Sequence, residues 1–521
     1  MTESGAILAI GPDFAANPHA KGLPLTSTLP TPDVLATVDL GSNTFRLQVS
    51  RVVEDQLYPL DAMKETVRLG AGLTADKYLD EVTQEKALAC MARFGERLRG
   101  FNPRQVRIVG TNTLRVAKNS AEFIQRAEAL LGFPIEIIAG REEARLVYIG
   151  AAHSLPATKE KRLVVDIGGG STEFVIGSQF KAHVTESLPL GCVSYSLRYF
   201  ADGKLSRSNF ADATLAARNE IQRITAEYRP EEWQLAVGTS GTARSLRDIL
   251  EINDWSASDI TLDGMLKLRA ELIRRENLKN VSLNGLKADR LPVLPGGLAI
   301  MIAIFEELGV NKMIVAEGAL RDGVLYDLLG RQREKDMRES TVQLFKRRYH
   351  VDVAQSERVQ ALAERLYRMV AGEDLDQDML KRLIWAARLH EIGLTIAHTA
   401  YHKHSAYILQ NADMPGFSKR EQAMLATIVL GHRGDMGKML QVVNDPALWQ
   451  AVVALRLAVL FYRSRNTIVL PAELDLKPDA KGFVLTVSQN WLKDNPLTTS
   501  AFRQEVSQWK NVGFELDISQ R

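Results

Sequence analysis

The sequence predicts an α/β protein of two similar lobes facing one another across a cleft, followed by a mainly helical domain and a small mixed appendage. Three observations predict it. A strand–turn–strand unit, VDLGSNTFRLQV at 38–49, recurs as VDIGGGSTEFVI at 165–176, each with an Asp closing the first strand before a small-residue turn. Strands alternate with helices up to residue 330, the pattern of layered α/β lobes. From the charged segment GRQREKDMRES (330–340) to about residue 465 the apolar spacing is helical, and 466–521 turns mixed again.

Length and composition agree. At ~150 residues per domain, 521 residues make roughly three or four domains. A chain 45% hydrophobic and 25% charged is an ordinary globular one. Sixty-five Lys+Arg against 63 Asp+Glu leave +2, which excludes the basic footprint of a general DNA binder. The two cysteines, Cys90 and Cys192, form no framework and fit a reducing cytoplasm. The first 33 residues lack a basic leader and read as a mobile tail. No apolar stretch approaches the ~20 residues of an integral membrane segment, so the expectation is a cytoplasmic protein, with peripheral attachment to the inner membrane left open. The expected divisions are tail 1–33, first lobe 34–145, second lobe 146–330, helical domain 331–465 and appendage 466–521.

The elements follow in order. Residues 36–40 (ATVDL) form a strand and GSNT a turn; in FRLQVSRV, Phe45, Leu47 and Val49 share one face and Arg46, Gln48 and Ser50 the other. A strand at 106–109 leads into GTNTLR, and Asn119 with Glu122 offers a capping box for the next helix. IEIIAG (135–140) is a strand that ends where REEARLVYIGAA becomes helical. After the second hairpin, QLAVG is a strand, TSGT (239–242) opens a helix, and Pro292–Gly297 breaks the chain before the apolar helix LAIMIAIFEEL. Residues 313–329 read as strand, glycine turn, helix, and GFVLTVSQ and FELDIS as strands of the appendage.

Three small-residue turns point to phosphate: GSNT after Asp39, GGGST after Asp166, and TSGT. Each presents backbone N–H groups with little side chain in the way, the makings of an anion-binding nest. Neither standard nucleotide motif is present: GGGST runs into a strand, and no G-x-x-x-x-G-K-[ST] occurs. A carboxylate beside phosphates needs a divalent cation between them, so Asp39 and Asp166 imply Mg²⁺, with Asp also a common turn initiator. Glu142 and Glu143, at a helix start, complement the helix dipole or supply a general base. Arg115 and Arg290 have the planar fork that clamps phosphate. His390, His398, His402, His404 and His432 cluster in the C-terminal half, where the carboxylate beside His390 is Glu391 and no upstream His completes a metal set.

The ordered motifs DLGSNTFRL, GTNTLR, GREEARL, DIGGGSTEF, GTSGTAR and EGALRDGVLY closely resemble the exopolyphosphatase / guanosine pentaphosphatase (Ppx/GppA) phosphatase family from about residue 35 onward. The resemblance implies the actin-like ATPase (ribonuclease H-like) fold. It gives Glu143 the role of catalytic base, and Ser42, Asn43, Gly168, Gly169, Gly170, Ser171 and Thr172 that of phosphate-loop residues. Arg115 and Arg290 match phosphate-contacting arginines. Ser240, Gly241 and Thr242 join the phosphate set through their turn. The candidate metal set is Asp166, Glu143 and, from the hairpin repeat, Asp39. Mg²⁺ is the implied cofactor, K⁺ is admitted beside it, and a homodimer is implied. LHEIGLTIAHTAYHKHSAYILQNADMPGF resembles a metal-dependent phosphohydrolase (HD-type) helical domain whose ligand set has decayed, with its HKHSAYILQN run closer to the exopolyphosphatase branch.

The expected function is therefore an exopolyphosphatase, a phosphoric anhydride hydrolase. It would remove terminal phosphate from inorganic polyphosphate, with the phosphoryl between the two glycine turns and Glu143 activating water. The alternatives are a guanosine pentaphosphate 5′-phosphohydrolase and a non-catalytic polyphosphate or nucleotide sensor. Lys346–Arg348, His402–His404 and Arg433 suggest a cationic track for a long polymer.

Overall fold

The computed structural model describes residues 34–520 apart from 54–55, 157, 258, 333–335 and 440–444; the expected tail lies outside the described residues. The first sheet joins β1 (Val34–Leu40), β2 (Phe45–Val53), β3 (Gln56–Glu65), β4 (Val106–Gly110) and β5 (Ile135–Ile137) in the order β3-β2-β1-β4-β5. The second joins β6 (Arg162–Ile167), β7 (Thr172–Ser178), β8 (Lys181–Leu188), β9 (Leu235–Thr239), β10 (Ile260–Thr261) and β11 (Lys312–Val315). Its order is β10-β11-β9-β6-β7-β8. Read from the meander end, both sheets begin with three antiparallel strands followed by two parallel ones, and the second adds β10, antiparallel to β11, at its far edge. The sequence repeat thus extends well past the hairpin. Even the register shift recurs: it falls between Val49 and Ser50 in one lobe and between Ile176 and Gly177 at the matching position in the other.

The lobes interlock through two helices. Gly140–His153 leaves β5 of the first lobe and packs under β7 and β8 of the second. Leu320–Gln332 follows β11 of the second lobe and packs back on β1 of the first, where Leu325, Leu328 and Leu329 meet Leu35. The division expected at 145/146 therefore falls inside a helix shared by both lobes. The two helices cross backbone to backbone: a Cβ on Gly150 would come within 1.9 Å of the Ala319 carbonyl, and one on Gly323 within 1.8 Å of that of Leu146. The second helix explains why the Gln48 and Ser50 face of β2 is buried, although its alternation reads as solvent-facing.

Two local expectations are corrected. Asn119 does not cap its helix; its amide both accepts from and donates to the Leu79 backbone, at 2.9 and 3.0 Å. The apolar helix begins at Leu294, with Pro295, Gly296 and Gly297 inside its first turn, where a missing N–H costs nothing. Leu291–Leu308 is long and apolar enough to cross a bilayer by composition, contrary to the sequence reading, yet 78% of it is buried in the second lobe.

Beyond Asp336 the described residues are mainly helical to Phe461, and then β12 (Leu474–Asp479), β13 (Gly482–Val487) and β14 (Glu515–Gln520) form a small sheet. This sheet is the small mixed appendage the sequence predicts, and it packs onto the helices. Leu476, Leu485 and Trp509 share one continuous core with Val359, Leu383 and Val452 of the helices.

Candidate active site

The cleft between the lobes is a cavity of about 110 Å³. Ser42, Asn43, Gly168, Gly169, Gly170, Ser171, Ser240, Gly241, Arg290, Asp39, Asp166 and Glu143 all line it. Hairpin geometry explains the convergence, since both Asp residues end a strand at the lobe interface. The carbonyls of each turn are tied back on its outer side. Ser42 and Asn43 accept from Gly70 and Arg68 at 2.7 and 2.8 Å, and Gly168 and Gly169 accept from Cys192 and Val193 at 2.9 and 3.0 Å. Among the described residues, the N–H groups of Ser42, Asn43, Gly169 and Gly170 make no backbone hydrogen bond. That is the arrangement of an anion nest.

The turns touch: a Cβ on Gly169 would lie 2.9 Å from that of Ser42. The carboxylates and arginines of the cavity wall lie beside the paired turns. Lys64 of the first lobe meets Asp289 of the second at 3.0 Å, next to Arg290.

Three predicted residues are not on the cavity wall. The buried Thr172 hydroxyl donates to the Leu190 carbonyl at 2.5 Å, and that of Thr242 to the Ile167 carbonyl at 3.0 Å; both brace the turns from behind. Arg115 donates to the Ile138 carbonyl at 2.7 Å and to Glu143 at 3.2 Å through the same Nη1, so it holds the carboxylate from behind the wall. Gly241 lies against the Arg290 guanidinium, which a Cβ at that position would have to push aside. Ser240 opens the Ser240–Ile252 helix with φ +69° and hydrogen-bonds the Ile167 carbonyl at 3.2 Å.

Sequence reasoning missed Arg46, Arg244, Arg321 and Glu173, all on the cavity wall. For two of them a signal existed. The hairpin register pairs Asp39 with Arg46 and Asp166 with Glu173, so equal spacing from each turn identifies both. The Ser187 hydroxyl donates to Glu173 at 2.9 Å.

The carboxylates are under-neutralised. Burial pushes Asp39 up to about 6, against the pull of Arg46 and Arg321, and one of its oxygens, Oδ1, makes no hydrogen bond. Burial raises Glu143 to about 7, with Arg115 opposing and Asp39 adding to the rise. Asp166 and Glu173 are raised by burial too, Glu173 further by Glu143 and Asp166. Such a set favours a cation among its members. Among the described residues no three His, Cys, Asp or Glu groups are placed to hold a metal ion together.

The histidine cluster is different. His390 and His432 sit with ring centroids 5.2 Å apart, each with Nδ1 on a carbonyl of its own helical turn, Ala387 at 2.7 Å and Val429 at 2.5 Å. Both oxygens of Glu391 are taken by the Arg465 guanidinium at 2.7 and 2.8 Å. A guanidinium is thus the countercharge to this carboxylate. Nor do the suggested track residues line up on one surface, because Lys346 and His402 are buried.

Two lobes of one topology, with glycine turns and carboxylates converging between them, define a phosphoanhydride hydrolase built on the actin-like ATPase fold. The chain belongs to the Ppx/GppA phosphatase family, whose model matches residues 48–332, with the family's domain III matching 337–506. It is 39% identical over 500 residues to the guanosine-5′-triphosphate,3′-diphosphate pyrophosphatase of Pseudoalteromonas translucida (strain TAC 125), covering 94% of this chain and 99% of that relative. An exopolyphosphatase from Cytophaga hutchinsonii, 22% identical with a TM-score of 0.52, spans 57% of this chain and 97% of its own. An exopolyphosphatase-like protein, 20% identical with a TM-score of 0.51, spans 57% and 99%. These structures share the fold of the lobes.

Proposed function

We propose that the protein hydrolyses the terminal phosphoanhydride of guanosine 5′-triphosphate 3′-diphosphate. The observation that carries this is the 39% identity over nearly the whole chain, helical domain included, to a relative bearing that activity in its name. It favours the nucleotide alternative over the exopolyphosphatase reading to which the HKHSAYILQN run pointed.

The chemistry follows from the cleft. Arg46, Arg244, Arg290 and Arg321 surround the carboxylates and bind the phosphate tail. The N–H groups of the two turns orient the terminal phosphoryl group. Water attacks phosphorus in line, its proton passes to the Glu143 carboxylate, and the bond to the bridging oxygen breaks with the nucleotide as leaving group. A base near 7 is half ionised at neutral pH, where it can both exist as carboxylate and hold a proton. Asp39 and Asp166 would hold Mg²⁺, which when bound offsets charge on the phosphates. A K⁺ ion beside it and a homodimeric assembly complete the proposal.

The test is phosphate release from the guanosine nucleotide and from long inorganic polyphosphate under equal conditions. A higher kcat/KM on polyphosphate would overturn the proposed substrate, and no turnover on either would return the sensor reading.

A further inference from the structure

Glu142 precedes Glu143 but faces another way, since successive α-helical residues are turned about 100° apart. Glu143 lines the cleft; Glu142 is buried against the helical domain. Its Oε2 accepts the Gly416 N–H at 3.0 Å, and its two oxygens take Arg145 N–H groups at 2.7 and 2.8 Å. Gly416 lies in the loop before the Lys419–Gly431 helix. Its carbonyl accepts from Arg331 at 2.8 Å, and the preceding Pro415 carbonyl accepts from Thr341 at 2.6 Å. The loop is therefore braced by helices on two sides, and the Gly416 N–H is directed at Glu142.

The first turn of the Gly140–His153 helix needs such an anchor. Its N-cap is Ala139, which provides no side-chain cap. Arg141 of the same turn also reaches the helical domain, meeting Asp413 at 2.8 Å. Arg145 in turn binds Asp327 at 2.5 Å on the crossing helix. The turn that carries Glu143 is thus held from the side away from the cleft.

We infer that Glu142 is a positioning residue through which the helical domain fixes the place of the Glu143 carboxyl; this rests on the reading of Glu143 as the base. Loss of the acceptor leaves a buried N–H and part of a guanidinium unsatisfied, and the turn shifts to recover them. A misplacement of about 1 Å costs roughly 10²-fold in rate.

The experiment measures phosphate release from guanosine 5′-triphosphate 3′-diphosphate, below the melting transition of every variant. Glu142→Ala should lower kcat roughly 10²-fold with KM within about two-fold of wild type. Glu142→Gln keeps an acceptor oxygen and should recover most of the loss. Thr341→Val, on the far side of the loop, should lower kcat in the same sense, and combining it with Glu142→Ala should cost less than the product of the two. Amide exchange at Gly416 should quicken in Glu142→Ala. If that variant fails to fold, Glu142→Asp, whose shorter side chain draws the acceptor away from Gly416, takes its place in the cycle with Thr341→Val. Unchanged kcat, multiplicative losses, or a Gln variant no better than Ala overturns the inference. Turnover by Glu143→Gln would instead remove the base reading, whatever Glu142 does. A dead Glu143→Gln beside a normal Glu142→Ala removes only the anchor.

Discussion

The cleft and the joint between the lobes and the helical domain are both buried clusters of arginine and carboxylate, yet their carboxylates titrate in opposite directions. In the cleft, Asp39, Glu143, Asp166 and Glu173 are all pushed up, chiefly by burial. In the joint, burial is outweighed. Arg145, Arg107 and Arg331 hold Asp327 far below the usual carboxylate range, and Arg331 and Arg338 hold Glu421 down to about 2. The difference is geometric. Asp327 receives Arg145, Arg107 and Arg331 at 2.5, 2.7 and 3.1 Å, whereas in the cleft Glu143 meets the single guanidinium of Arg115 at 3.2 Å, and Arg46 and Arg321 attract Asp39 without closing on it. A joint completes its own countercharge; a site leaves it to a ligand.

The comparison can be broken at several points. The largest effect belongs to Glu143→Gln, which keeps the shape but cannot take the proton. Turnover should fall ~10²–10⁴-fold while substrate affinity stays within a few-fold, as read by phosphate release and by calorimetric binding. Near-normal turnover would leave Glu143 a helix-dipole residue. On the joint side, Asp327→Ala strands three arginines and should destabilise the fold by about 3–5 kcal/mol in denaturant unfolding. A loss under 1 kcal/mol would show that the joint is solvent-compensated.

Asp166→Asn should raise the Mg²⁺ concentration needed for half-maximal rate and lower the maximum, whereas Glu391→Ala, whose carboxylate already belongs to Arg465, should leave Mg²⁺ dependence unchanged. Equal metal phenotypes would place the metal in the wrong region or in both.

Acid unfolding separates the regions by sign. Raised carboxylates cost stability once ionised, so metal-free protein should become more stable as pH falls from about 7 towards 4 and the cleft takes up protons. Lowered ones contribute stability that is full above their unfolded value and lost as pH falls through the folded one. The joint should therefore weaken between about 4.5 and 2, by on the order of 3 kcal/mol for Glu421 alone. Melting temperature across that range, with and without Asp327→Ala, is the measurement. A monotonic fall from pH 7 would contradict it.

Much of the cleft was legible because its residues are local. A turn, the Asp before it and the strand after it lie within a dozen positions, and the repeat of that unit at 38–49 and 165–176 announced two lobes. Arg46 and Glu173 were within reach of the same register. Arg244 and Arg321 lie inside the quoted motifs GTSGTAR and EGALRDGVLY, but only packing brings both to the cavity wall. Arg115 was read as a phosphate clamp and turns out to hold Glu143, a relation across 28 residues that only packing creates. In the C-terminal half, histidine spacing raised a metal, and the answer lay in Arg465, 74 residues from Glu391.

What the sequence determined by itself was therefore the fold of each lobe and the residue types at the cleft, since backbone alternation, turn chemistry and cross-strand register act over short stretches of chain. What only the tertiary structure decided was charge balance: which carboxylates find guanidinium partners and which stay short of them. Those partners come from β4, the two crossing helices and the helical domain, and burial sets the cost of lacking one. Sequence separation carries no information about that distance, so the same Arg and Glu letters became a joint in one place and a reaction site in the other.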